Sequence, residues 1–122
     1  MKTKFAILGA GKLGQIVARA WKAGKMPDYE LVGIFSRTAD SVLKLAEEVG
    51  VEGTTEVGQL LSWQPQIVAE AASVEAVRTY AILLLEAGID LITLAIGAFA
   101  DDDFYKQVQK TARQHGRKVY IA

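Results

Sequence analysis

The 122-residue sequence lacks cysteine altogether, has two prolines and one histidine, and carries no formal net charge. The absence of cysteine excludes disulfides, thiol catalysis and zinc–thiolate sites, and it suits a reducing compartment. Because 14 basic residues balance 14 acidic ones, no strong positive field attracts nucleic acid or an anionic membrane. The longest apolar stretch, around residues 91–100, is about half the length that a bilayer span requires. We therefore expect a cytoplasmic protein with neither nucleic-acid nor membrane partners.

Short apolar runs alternate with segments of helical periodicity along the whole chain. The runs predict strands at 5–8, 31–35, 51–54, 67–70, 91–95 and 119–122. Apolar residues recur at helical spacing between them, at Leu13, Ile16, Val17 and Ala20, at Ala39, Val42, Leu43 and Ala46, at Val74, Val77, Ala81, Leu84 and Leu85, and at Phe104, Val108 and Ala112. This alternation predicts an α/β fold of the Rossmann type, a doubly wound, mainly parallel sheet with helices on both faces.

The length fits one domain, spanning residues 1–122. The sequence stops at its last predicted strand, which suggests a cut at a domain boundary. We therefore expect this domain to be the N-terminal part of a longer two-domain enzyme whose substrate domain is absent here.

A glycine-rich segment follows the first predicted strand. Gly9, Gly11 and Gly14 enclose Lys12 and Leu13 in the pattern G-x-G-x-x-G, between a buried strand and an amphipathic helix. In that context the first glycine permits a tight turn, the second lets the backbone approach a pyrophosphate, and the third allows close helix packing. The helix N-terminus offers free N–H groups to phosphates. These five residues are predicted to bind a dinucleotide.

The end of the second predicted strand distinguishes between cofactors. NAD-binding domains usually place an acidic residue there, about 20 residues past the glycines, to hold the ribose 2′-hydroxyl. This sequence has Ser36, Arg37 and Thr38 instead. A guanidinium flanked by two hydroxyls suits a 2′-phosphate. The residues favour NADP, with NAD still possible, although Arg37 could be a solvated surface residue and Thr38 only a helix cap.

Small residues follow the fourth and fifth predicted strands, at the edge where open α/β sheets bind ligands. They leave room for a nicotinamide ring and its ribose, and they are Ala71, Ala72, Ser73, Gly97 and Ala98. Close helix packing, or a helix cap at Ser73, would explain the same residues without a ligand. The neighbouring Glu70 is expected to organise loops rather than to take part in chemistry.

The remaining polar candidates have simpler explanations. Asp101, Asp102 and Asp103 are consecutive at a helix start, where acids are ordinary, and their side chains diverge too much to converge on one metal ion. His115 lies near the end of the last predicted helix, where a cation is favoured. We predict neither a metal site nor a catalytic residue in this chain.

The chain resembles the N-terminal domain of the L-aspartate dehydrogenases and, more loosely, that of the homoserine dehydrogenases. Besides the glycine loop, three stretches carry the resemblance over essentially the whole chain: VAEAAS at 68–73, LAIGAFAD at 94–101 and HGRKVYI at 115–121. The resemblance implies reversible oxidative deamination of L-aspartate with NAD or NADP, on a small amino-acid substrate held by the absent domain. It also implies that the catalytic histidine lies in that domain, so this chain alone should bind cofactor without turnover.

Two positions depart from the family pattern, and two other functions stay open. Ala95 stands where the family often has serine, and Ser36 replaces the acid of NAD-preferring members, which favours NADP. The parent protein is expected to be a homo-oligomer, associating largely through the absent domain. Another amino-acid or imine reductase, homoserine dehydrogenase-like, would share this layout. A non-catalytic nucleotide-sensing domain is the alternative of another class, but such domains commonly place an acid where Ser36 and Arg37 stand.

Overall fold

The computed structural model describes residues 2–94 and 96–121. Its strands are β1 (Thr3–Leu8), β2 (Tyr29–Phe35), β3 (Glu52–Thr54), β4 (Ile67–Glu70), β5 (Asp90–Thr93) and β6 (Val119–Ile121). Its helices are α1 (Lys12–Lys22), α2 (Ala39–Val49), α3 (Val57–Ser62), α4 (Val74–Glu86) and α5 (Asp102–His115), with a 3₁₀ helix at Ile96–Ala100. Each predicted strand is found, and the 3₁₀ helix was not predicted. The predicted ends of two strands, at Ala95 and Ala122, lie outside the described residues.

The six strands form one sheet in the order β3-β2-β1-β4-β5-β6, and all five neighbouring pairs are parallel. The chain moves outward from β1 to β3 and then returns to place β4 on the other side of β1. This reversal of direction between β1 and β4 is the point at which open α/β sheets form a ligand crevice. The carboxyl ends of all strands lie along the same edge, so the predicted Rossmann-type architecture is confirmed.

Helices cover both faces of the sheet, but unequally. Residues of α3, α4 and α5 pack with the strands in one core, whose fully buried large members include Phe35, Leu60, Leu84, Leu85 and Leu91. Residues of α1 and α2 form the second core against β1 and β2. On that second face a groove of about 310 Å³ remains open beside β4 and β5, lined by Phe5, Val17, Met26, Tyr29, Ile67, Ala69, Glu70, Ile92 and Leu94.

The predicted apolar stripe of α1 is only partly buried. Leu13 and Ile16 are 46% and 56% exposed, whereas the buried residues of this helix are Gly14 and Ala18. A Cβ atom at Gly14 would overlap the carbonyl oxygen of Gly9. The helix therefore approaches the end of β1 so closely that only small residues fit between them.

The inward face of α2 is also shifted from the prediction. Val42 and Ala46 are buried as expected, but Leu43 is 55% exposed, and Leu45 and Val49 are buried in its place. The helix thus turns its i, i+3, i+4, i+7 stripe toward the sheet, which is the ordinary pattern for a half-covered helix.

The two tryptophans pack on opposite faces of the sheet, Trp63 against the first core and Trp21 against the second. The ring of Trp63 lies directly over Gly33 in β2, where a side chain on the glycine would overlap it, and its indole N–H donates to Glu52. Trp21 donates to the Tyr29 carbonyl at 3.0 Å. Within residues 2–94 and 96–121, no helix is both long enough and apolar enough to cross a membrane.

Candidate functional site

Backbone hydrogen bonds join the loops at the carboxyl edge of the sheet. The N–H of Gly9 donates to the Phe35 carbonyl at 2.7 Å, and the N–H of Ala71 donates to the Leu8 carbonyl at 2.9 Å. The loops that follow β1, β2 and β4 are therefore fixed to one another. These backbone bonds hold the ends of β1, β2 and β4 together, although their residues are far apart in the sequence.

The three glycines of the loop after β1 meet different environments. Gly9 has a φ of +123°, which favours glycine, and a Cβ there would lie 3.0 Å from Ala71 and Ala72. Gly14 permits the close approach of α1. A Cβ at Gly11, in contrast, would have no atom within 4 Å. The backbone at Gly11 is thus open on one side, as the approach of a pyrophosphate requires.

The N-terminus of α1 has free capacity for an anion. Gly11 is its N-cap and makes no side-chain capping bond, as is also true of the N-caps of α2 and α3, whereas Ser73 and Asp101 cap α4 and α5 with their side chains. The first N–H groups of a helix point outward and carry the positive end of its dipole. Lys12 and Leu13, the first two residues of α1, are exposed beside it. The predicted residues of the loop are therefore together, and their donor set suits phosphate oxygens.

A cavity of about 160 Å³ opens next to the glycine loop, between the end of β2 and α4. Its walls are formed by Leu8, Gly9, Phe35, Ser36, Arg37, Thr38, Ala72, Ala76 and Tyr80. The Tyr80 ring stands edge-on to Phe35, with centroids 5.1 Å apart. The cavity thus combines the aromatic rings of Phe35 and Tyr80 with the polar residues Ser36, Arg37 and Thr38, a mixed lining that can contact both a planar ring and a ribose.

Four residues of this cavity were not predicted as site residues: Leu8 and Phe35, which end β1 and β2, and Ala76 and Tyr80 of α4. The last two come from an element that supplied no predicted cofactor contact. They are one helical turn apart on α4, so they share a face. The sequence does contain a signal for them. A small residue is followed by an aromatic at i+4, just after the loop of β4, and this spacing could have predicted that both line a cavity.

Arg37 lies at the rim of the cavity and reaches toward α4. Its Nη1 is 3.4 Å from Oε1 of Glu75, and both side chains are more than half exposed. Ser36 Oγ accepts from the backbone N–H of Thr38 at 3.3 Å. Thr38 is the N-cap of α2, but its side chain makes no capping bond. The three predicted residues therefore lie together, at one end of the cavity.

Glu70 ends β4 with its side chain only 1% exposed. Its Oε2 accepts from the backbone N–H groups of Ala72 and Ser73 at 2.9 and 3.0 Å, and its Oε1 accepts from Thr93 Oγ1 at 3.2 Å. Its carbonyl also accepts from the N–H of Leu94 at 3.1 Å. Glu70 thus joins the loops after β4 and β5, as the sequence suggested.

The other small residues predicted near the nicotinamide differ in their surroundings: one caps a helix, one is exposed and one is buried. The hydroxyl of Ser73 accepts from the N–H of Ala76 at 3.1 Å and so caps α4. Gly97 is exposed and lies near Val74, but Ala98 is only 1% exposed and packs in the core with α4 and α5. The side chain of Ala98 is thus occupied by packing and does not line the crevice. Ala95 lies outside the described residues.

Asp101 serves as the N-cap of α5, accepting from the backbone N–H groups of Asp103 and Phe104. These bonds, that from Phe104 foremost, and the guanidinium of Arg78 at 3.1 Å hold the pKa of Asp101 below its ordinary value. Helix capping therefore explains Asp101, while Asp102 and Asp103 lie in the first turn of α5, where acids are favoured.

A parallel sheet with this strand order, an open glycine loop at its switch point and an uncapped helix behind that loop define a dinucleotide-binding Rossmann domain. The profile of the family described as "Homoserine dehydrogenase, NAD binding domain" matches residues 9–122. The chain belongs to this family.

Relatives named L-aspartate dehydrogenase confirm the resemblance seen in the sequence. The enzyme of Methanococcus maripaludis strain C7 is 30% identical over 118 residues, which are 97% of this chain and 44% of that protein. The enzyme of Archaeoglobus fulgidus is 48% identical over 66 residues, 54% of this chain and 28% of that one. The chain therefore spans less than half the length of these relatives.

Solved structures share the fold at low sequence identity. GenD2 from gentamicin A biosynthesis, solved with NAD, has a TM-score of 0.86 at 18% identity, covering 99% of this chain and 34% of GenD2. The WlbA dehydrogenase of Bordetella pertussis, solved with NADH and UDP-GlcNAcA, has a TM-score of 0.85 at 16% identity, covering 100% of this chain and 37% of WlbA. At such identity the likeness supports the architecture alone.

Proposed function

We propose that this chain is the cofactor domain of an NADP-preferring dehydrogenase that acts on L-aspartate. The observation that carries the cofactor assignment is the cavity beside the glycine loop, with Arg37 at its rim and no acidic side chain at the end of β2. The substrate assignment rests on the relatives named L-aspartate dehydrogenase. The whole enzyme would oxidise the amino acid to iminoaspartate, which hydrolyses to oxaloacetate.

Each part of the dinucleotide is assigned to residues of this chain. The N–H groups at Gly11, Lys12 and Leu13 hold the pyrophosphate, while the adenine enters the cavity near Tyr80. Arg37 pairs with the 2′-phosphate, and Ser36 and Thr38 add hydrogen bonds.

The nicotinamide end extends toward the loops after β4 and β5, at Ala71, Ala72, Ser73 and Gly97. When bound, the nicotinamide supplies the hydride acceptor. This chain contributes binding and orientation, and the catalytic groups belong to the part of the enzyme beyond it. A cytoplasmic location and a homo-oligomeric parent protein remain predictions.

A homoserine dehydrogenase is the second candidate, because the matching family is described by that name. The two enzymes would use the same cofactor domain and differ in the groups that hold the substrate. Turnover of L-aspartate against L-homoserine by the full-length protein distinguishes them. A non-catalytic nucleotide sensor would bind the dinucleotide but turn over neither substrate.

Calorimetric titration of the chain with NADPH and NADH tests the cofactor assignment. A charge-assisted bond to the 2′-phosphate is worth about 1.5 kcal/mol at the low end suited to an exposed arginine, so NADPH should bind about tenfold tighter. The variant Arg37→Gln should remove this difference and leave NADH binding unchanged. Equal binding of both cofactors to the unmodified chain would refute the NADP preference.

A matched pair of glycine variants tests the position of the pyrophosphate. A methyl group at either Gly11 or Gly58 would enter open space, and neither residue has a positive φ. Gly11→Ala should weaken both cofactors at least tenfold, because its methyl group enters the path of the pyrophosphate. Gly58→Ala, in α3, should leave both affinities unchanged. Undiminished binding by Gly11→Ala would place the cofactor elsewhere.

A further inference from the structure

The ion pair between Arg37 and Glu75 joins the two sides of the cavity. Arg37 comes from the loop after β2, and Glu75 belongs to the first turn of α4, directly before the cavity residue Ala76. Their side chains are 51% and 74% exposed, so the pair lies at the rim and not inside. The cation predicted to recognise a 2′-phosphate therefore already has a carboxylate within 3.4 Å.

From this arrangement we infer that Glu75 is a specificity-determining residue that limits the preference for NADP over NAD. A 2′-phosphate that pairs with Arg37 is brought close to Glu75, and two anions at one guanidinium repel each other. Arg37 must also give up or share its bond to Glu75. NADH carries only hydroxyls at this position, so it escapes both penalties. The inference rests on the proposed function, because it assumes that the cavity takes the adenosine half of a dinucleotide.

The expected effect is modest, because the charges are exposed. Exposed ion pairs are worth about 0.2–1 kcal/mol, which corresponds to a change of about 1.4- to fivefold in binding. Repulsion between Glu75 and the phosphate acts in the same direction as the loss of the pair. We therefore expect Glu75→Gln to raise the ratio of NADPH affinity to NADH affinity about two- to fivefold.

The ratio isolates the electrostatic effect from other consequences of the substitution. Glu75 stands in the first turn of α4, where an acid favours the helix dipole, so its loss alters stability slightly. A change in stability affects NADPH and NADH equally. Only a contribution specific to the 2′-phosphate changes the ratio.

Glu86→Gln provides the matched control. Glu86 ends the same helix, carries the same charge and is exposed. Eleven residues of helix place it about 16 Å from Glu75, which is about two Debye lengths at physiological salt. This variant should leave the ratio unchanged.

The experiment is calorimetric titration of NADPH and NADH into the unmodified chain, Glu75→Gln, Arg37→Gln, the double variant and Glu86→Gln. The inference requires that Glu75→Gln raise the affinity ratio, that this gain shrink at 0.5 M salt, and that it be smaller in the Arg37→Gln background, where the ion pair is absent and only direct repulsion between Glu75 and the phosphate remains. An unchanged or lower ratio in Glu75→Gln, with NADPH still bound, would overturn the inference and leave the proposed function standing. Failure of the unmodified chain to bind either dinucleotide would overturn the proposed function itself, and the inference with it.

Discussion

The buried carboxylate of Glu70 offers the sharpest test of how the site is held together. Its two oxygens accept from Ala72, Ser73 and Thr93 at 2.9–3.2 Å, across the loops that follow β4 and β5. A glutamine has nearly the same shape. Its carbonyl oxygen can accept from both backbone N–H groups, and its amide can donate to the hydroxyl of Thr93. An alanine at position 70 makes none of these bonds.

The two substitutions should differ severalfold in their cost. Glu70→Gln replaces charge-assisted hydrogen bonds with neutral ones, which destabilises the fold, but it also removes a buried charge, which stabilises it. We therefore expect the free energy of unfolding to fall by about 1 kcal/mol. Glu70→Ala removes at least three bonds, and each partly buried donor left unsatisfied costs about 1 kcal/mol or more, so the expected loss is about 3 kcal/mol. For a domain of this size these losses correspond to about 4 °C and about 12 °C in Tm.

Thermal unfolding by circular dichroism, with urea denaturation for the free energy, measures the stability change. Calorimetry with NADPH and with 2′-phospho-ADP-ribose, which lacks nicotinamide, measures where binding is affected. Because Glu70 orders the loops assigned to the nicotinamide end, Glu70→Ala should weaken NADPH several times more than the fragment.

Leu91→Ala, a core variant destabilised to a similar degree at a site outside the loops, should weaken both ligands equally. Equal Tm values for Glu70→Gln and Glu70→Ala would refute the assignment of stability to these hydrogen bonds. Equal losses of NADPH and of the fragment in Glu70→Ala would refute the positioning role.

Three further predictions concern the helix contact, the helix cap and the open groove. Gly14→Ala should destabilise the fold by about 1–3 kcal/mol in urea denaturation, because its methyl group meets the rigid backbone of Gly9; an unchanged midpoint would contradict the contact. Because the folded-state pKa of Asp101 lies below its ordinary value, its carboxylate stabilises the fold above about pH 4, and that contribution is lost as the pH falls further. The stability difference between the unmodified chain and Asp101→Asn should therefore shrink from pH 7 to pH 3, and a constant difference would count against it. Ile92→Thr, on the open groove beside β5, should reduce the fluorescence of a bound apolar dye while shifting Tm by only a few degrees; unchanged fluorescence would mean that the dye binds elsewhere.

The alternation of strands and helices and the glycine loop could be predicted from the sequence because each depends on local signals. The apolar run that became β1 is continuous and buried, as a strand covered on both faces requires, and Gly9 follows its end. The run that became β4 is shorter, and Pro65 precedes it. Right-handed crossovers then leave few ways to arrange alternating strands and helices. The pattern G-x-G-x-x-G gained its meaning from the strand before it and the helix after it.

The faces of α1 and α2 were less predictable, because periodicity shows that a helix has an apolar stripe but not how far it stands from the sheet. In α1 the distance is set by the contact of Gly14 with Gly9, which brings small residues inward and leaves Leu13 and Ile16 at the side. Such close approach is a tertiary property. Periodicity of large apolar residues therefore predicts that Leu13 and Ile16 face the sheet, whereas the buried residues of the helix are Gly14 and Ala18.

The charges around the cavity are a second feature that the sequence alone could not predict, because they depend on contacts between residues distant in the chain. The sequence places one cation, Arg37, where a 2′-phosphate is expected. From this position alone one would predict a charge-assisted bond between the two, with no opposing charge nearby. Glu75 is 38 residues away in the chain but 3.4 Å away in space, so a 2′-phosphate bound at Arg37 would meet a pair of charges rather than a lone cation. The preference for NADP that we propose would then be the difference between attraction to Arg37 and repulsion from Glu75. A measured ratio near tenfold would be consistent with a partly opposed arginine, and only removal of each charge in turn can separate the two contributions.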